Sequence, residues 1–118
     1  MAKWVRVCGL AEAPTSGGVR AVEAEGTAIC LANVGGEFAA LNDLCPHAGG
    51  SLATGWVQGE AVVCPLHSLP FNVKTGEAER LMKARVDVYP VKVKGDDVLV
   101  NLDLRAGGLV GWISRITQ

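Results

Sequence analysis

Little aromatic content, little net charge and no long apolar run mark this sequence. Phe, Trp and Tyr together make up 5% of its 118 residues. The net charge is −1, which provides no electrostatic footprint for nucleic acid or another polyanion. The N-terminal stretch MAKWVRV has neither the apolar core of a secretory signal nor a twin arginine. The wholly apolar runs fall far short of the length that crosses a bilayer. These absences point to a soluble, cytoplasmic chain without a nucleic-acid or membrane partner. No G-x-G-x-x-G follows a strand pattern, so no dinucleotide site is indicated. Thr15-Ser16-Gly17-Gly18 lacks the G-K-[ST] ending of a phosphate loop.

What is present is a succession of short strand signals broken by turns. Trp4 to Leu10 alternates apolar and polar residues, as a half-buried strand does. Val19–Glu23 and Thr27–Asn33 flank Glu25-Gly26, and Gly35-Gly36 leads into Glu37–Asn42. Trp56-Val57 and Ala61–Cys64 flank Gln58-Gly59-Glu60, and Phe71-Asn72-Val73 reads as a further short strand. Val86–Tyr89 and Val91–Val93 alternate on either side of Pro90, which predicts an edge position or bulge there. Gly95-Asp96-Asp97 turns into Val98–Leu102. The length and pattern predict one all-β domain over residues 1–118, a small β-sandwich or barrel. A bound metal would help a chain of this size hold together.

The chemistry concentrates in one stretch, CPHAGGSLATGWVQGEAVVCPLHSLPF, from Cys45 to Phe71. It contains two short sets, Cys45-Pro46-His47 and Cys64-Pro65-Leu66-His67. Each offers one thiolate and one imidazole. Zinc also accepts sulfur and nitrogen ligands, and a Cys2His2 zinc site in a structural or interaction domain is an alternative. A C-x-H pair is unusual for zinc, whose cysteine knuckles carry two to four intervening residues. The wording of the stretch, with a proline after each cysteine and the Gly49-Gly50 pair, resembles the cluster-binding motif of Rieske-type iron–sulfur proteins.

That resemblance implies one [2Fe–2S] cluster, with Cys45 and Cys64 on one iron and His47 and His67 on the other. It implies a cluster-binding subdomain at about residues 43–73 inserted in a larger β base, and a C-terminal extension at about 103–118. Rieske proteins of the respiratory complexes add a bridged pair of cysteines where this chain has Gly50 and Leu66. They also place a Ser and a Tyr, both donating to sulfur, where it has Leu69 and Phe71. Fewer donors to sulfur imply a potential in the lower part of the family range of roughly −150 to +300 mV. The family's proline-bearing cover loop corresponds to residues 77–85, which hold no proline; Leu81 and Met82 are its apolar members.

Both histidines of the chain are taken by this assignment. None remains for mononuclear iron, for haem, or to activate Ser51 or Ser68. The expectation is therefore a non-catalytic one-electron carrier, a soluble Rieske ferredoxin between a flavin-dependent reductase and a terminal oxygenase. The small subunit of an NAD(P)H-dependent nitrite reductase, working with its large subunit, is the second reading. Cys8 and Cys30 read as buried reduced thiols, with a disulfide between them left open because their strands' relative placement is not legible. Leu109, Trp112, Ile113 and Ile116 fall at helical spacing in the tail, as a packing or subunit contact.

Overall fold

The computed structural model describes residues 4–46, 49–66, 68–78 and 84–104. The tail pattern at Leu109–Ile116 lies outside them. Ten strands make up the described chain: β1 (Trp4–Gly9), β2 (Val19–Ala24), β3 (Thr27–Val34), β4 (Glu37–Asn42), β5 (Trp56–Gln58), β6 (Ala61–Cys64), β7 (Leu69–Asn72), β8 (Val88–Tyr89), β9 (Val91–Lys94) and β10 (Asp97–Asn101). They form three antiparallel sheets, in the orders β1-β10-β9, β2-β3-β4-β8 and β5-β6-β7. Among the described residues no helix is long and apolar enough to cross a membrane.

The four-stranded sheet is the middle layer, and β3 explains why. Its sequence TAICLANV contains too little polar residue for one wet face, and Ile29, Cys30, Leu31 and Ala32 are all fully buried. Side chains alternate across a strand. Ile29 and Leu31 therefore enter one core, together with Ala40, Tyr89, Val98 and Val100. Cys30 and Ala32 enter the other, together with Leu41, Leu52, Val62 and Phe71. The first core is closed by the sheet β1-β10-β9, and the second by β5-β6-β7.

This arrangement settles the relation between the two extra cysteines. Cys8 belongs to the first core and Cys30 to the second, on opposite faces of the middle sheet, and both are free thiols. Burial pushes the Cys30 thiol far above its ordinary range, with the nearby Asp43 charge acting in the same direction.

The strand boundaries differ from expectation where a side chain or a proline intervenes. β1 stops at Gly9 because Leu10–Glu12 forms a 3-10 turn, in which the Glu12 carboxylate accepts from the Gly9 N–H at 3.0 Å. Trp4 to Arg6 and Cys8 to Gly9 pair with β10 in two registers, so Val7 is the extra residue of a bulge. Pro90 sits where the chain passes from β8, at the edge of the middle sheet, to β9, at the edge of an outer one. A residue without an N–H suits a point where one ladder ends and another begins. Its carbonyl still accepts from the Asn101 N–H at 3.1 Å.

Because β3 is packed on both faces, truncation there is expected to be costly. Leu31→Ala is expected to lower unfolding free energy by about 2–5 kcal/mol in denaturant titration. Glu23→Ala, exposed on β2 at the sheet edge, is expected to change it by no more than about 0.5 kcal/mol.

Candidate metal centre

The two cysteines of the short sets arrive on different strands and end side by side. β4 runs to Asn42, and the chain continues through Asp43 and Leu44 to Cys45. Leu44 pairs with Ser51 in an isolated antiparallel bridge. Above that bridge the Cys45 N–H donates to the Gly50 carbonyl at 2.8 Å, and the Gly49 N–H donates to the Cys45 carbonyl at 2.7 Å. The second loop is a hairpin end: Cys64 closes β6 and pairs with Leu69, the first residue of β7. Ser68 turns the chain back with φ at 50°, a left-handed conformation that favours glycine.

Cys45 and Cys64 are 1% and 0% exposed and share the core between the middle sheet and β5-β6-β7. Burial pushes the Cys64 thiol up. The Leu66 backbone N–H donates to its sulfur and opposes this, whereas the Cys45 thiol, within hydrogen-bonding contact, adds to it. A thiol buried as Cys64 is, beside a second sulfur, ionises reluctantly unless a cation compensates the charge. The donor set therefore fits a thiolate-bound metal centre, in which coordination removes the protons. His47 and His67 lie outside the described residues, as do Leu81 and Met82.

Asp43 holds the base of the first loop, a role that sequence reading missed. Its carboxylate accepts from the Ser51 hydroxyl at 2.6 Å and the Ala53 N–H at 2.8 Å. Its carbonyl accepts from the Leu52 N–H at 2.8 Å, and its own N–H donates to the Ala28 carbonyl on β3 at 3.0 Å. One nearly buried residue thus ties both ends of the Cys45 loop to the middle sheet. The only hint in sequence is an acid placed just before the loop and a hydroxyl just after it.

The two glycines of the first loop do different work. Gly49 has φ at +75° and open space around it, so its requirement is conformational. Gly50 is needed for close approach: a Cβ there would lie 2.8 Å from Leu66 Cδ1 and 3.7 Å from Cys64 Sγ. Positions 50 and 66 thus lie against each other, as apolar contact rather than a sulfur bridge. Leu69 and Phe71 are buried in the same core as the two thiols and carry no hydroxyl for a sulfur. The surroundings of the loops are apolar too, with Leu44 and Leu66 61% and 44% exposed.

Comparison with known proteins agrees with this geometry. The family described as Rieske [2Fe-2S] domain matches residues 3–100. The chain is 45% identical over 76 residues to the 3-phenylpropionate/cinnamic acid dioxygenase ferredoxin subunit of Shigella flexneri serotype 5b (strain 8401), covering 63% of this chain and 72% of the relative. Its structure is similar to the ferredoxin of carbazole 1,9a-dioxygenase from Nocardioides aromaticivorans IC177, with a TM-score of 0.74 and 32% identity over 83% of this chain and 96% of that one. It is also similar to a chain in a complex of reduced oxygenase and oxidised ferredoxin in carbazole 1,9a-dioxygenase, with a TM-score of 0.75 and 30% identity over 90% and 96%.

Removal of the Asp43 clamp tests its part in building this end of the molecule. Asp43→Ala leaves two donors without an acceptor and is expected to cost about 3 kcal/mol in denaturant unfolding. Asp43→Asn, which keeps one carbonyl acceptor, is expected to cost less than half of that.

Proposed function

Because the chain belongs to the Rieske [2Fe-2S] domain family and carries its single electron-transferring cluster, we propose that it is the ferredoxin of an oxygenase system, receiving electrons from a flavin-dependent reductase and delivering them to a terminal oxygenase. When bound, the cluster supplies a one-electron couple. We assign Cys45 and Cys64 as the thiolate ligands and His47 and His67 as the imidazole ligands. The observation that carries the assignment is the contact between the two buried thiols at neighbouring loop ends. Each cysteine has a histidine two or three residues after it, and these are the only histidines of the chain.

The residues around the thiols support a potential low in the family range. Leu66 donates a backbone N–H to Cys64, but Leu69 and Phe71 offer only hydrocarbon. Donors to sulfur favour the more negative, reduced state, so their scarcity lowers the potential. The exposed Leu44 and Leu66 beside the loops offer a small apolar contact, which suits a short-lived encounter better than a permanent assembly. The dioxygenase systems of the relatives weigh toward a carrier serving an oxygenase over a nitrite reductase subunit.

Anaerobically purified protein is expected to be coloured and to give an EPR signal on reduction. Colourless protein with stoichiometric zinc overturns the assignment. His47→Cys and His67→Cys are each expected to lower the midpoint potential where the centre still assembles. A variant with an unchanged midpoint removes that histidine from the ligand set.

A further inference from the structure

Leu66 stands out because it reaches both cysteine loops. Its side chain occupies the space directly over Gly50: a Cβ built there would be 2.8 Å from its Cδ1 and 3.3 Å from its Cγ. Its backbone N–H donates to Cys64 Sγ. Gly50 in turn accepts from the Cys45 N–H through its carbonyl. A continuous path of contacts therefore runs from one thiol to the other: Cys64 sulfur, Leu66, Gly50, Cys45.

The exposure pattern gives this path a purpose. Pro46, Pro65 and Leu66 are exposed, yet the cysteines between and beside them are sealed. A leucine held 44% exposed at a loop end gains less from burial than one in the core. Its placement is thus better explained by what it covers than by its own burial.

We propose that Leu66 is a positioning residue that latches the second cysteine loop onto the first through Gly50 and keeps water from the Cys64 sulfur. This rests on the function proposed above, since it concerns the centre that the two loops hold. Solvent at the sulfur stabilises the more negative reduced state and opens a route for ligand loss. The latch thus acts on two measurable quantities: the midpoint potential and the rate at which the centre is lost.

The test uses the loaded, full-length protein. Leu66→Ala removes the cover, and Gly50→Ala displaces it by placing a methyl 2.8 Å from Cδ1, too close for both to stay. Both are expected to raise the midpoint and to speed bleaching of the visible spectrum by a chelator on the order of tenfold. Leu66→Met, which keeps an apolar cover of similar volume, is expected to behave as wild type. Leu66→Ala that loads fully and keeps the wild-type midpoint and bleaching rate overturns the proposal. If Leu66→Ala fails to load, wild-type behaviour of Leu66→Met still supports the latch, and failure of Leu66→Met to load overturns it. Wild-type protein without a [2Fe–2S] spectrum is a different outcome, which removes the proposed function and the latch with it.

Discussion

Contact between two thiols inside an apolar core is the arrangement on which the rest of the molecule depends. Cys45 and Cys64 come from separate loops, and each is sealed from water. Such a pair is stable only in a particular setting: uncharged, or with its negative charge compensated by a metal. Hydrogen bonds that Asp43 accepts from Ser51, Ala53 and Leu52, and the one it donates to Ala28, fix one loop against the middle sheet. The Cys64–Leu69 pair fixes the other at the end of a hairpin. The three layers thus bring two cysteine-bearing loop ends side by side.

The functional reading follows from what surrounds that contact. Electron transfer needs no bound substrate and no proton relay, only a metal site near the surface and a face on which a partner can rest briefly. The described residues at this end provide that face with hydrocarbon from Leu44 and Leu66 and little charge. Charge lies elsewhere: Arg6 pairs with Asp97 at 2.8 Å, Lys74 with Glu60 at 3.1 Å, and Lys92 stands 4.5 Å over the Trp4 ring. These are surface pairs of small energetic weight, and they belong to the base and to the far side of the hairpin sheet.

Much of this was legible in the residues themselves. Alternation in β1 and on either side of Pro90 marked half-buried strands, and turn signals delimited the others, whereas the burial of β3 on both faces showed only once the three sheets were stacked. The cysteine–histidine spacing identified the family, a result that rests on local wording and needs no tertiary information. What stayed hidden depends on contacts between distant segments. The division of labour between Gly49 and Gly50 required knowing that Leu66 crosses to the first loop. Asp43 could not be recognised as a clamp until Ser51 and Ala53 were brought back to it by the turn. Cys8 and Cys30 had compatible surroundings in sequence, and only the layer order places them on opposite sides of a sheet.

The double-sided burial of β3 has an evolutionary consequence. Odd and even positions of one strand answer to different demands: Ile29 and Leu31 to the core of the base, Cys30 and Ala32 to the core that also holds the two thiols. Substitutions on the second set can retune the electrical environment of the centre while the first set keeps the domain folded. A lineage adapting to a new redox partner thus has a separate dial to turn, set on the back of the same strand that anchors the fold.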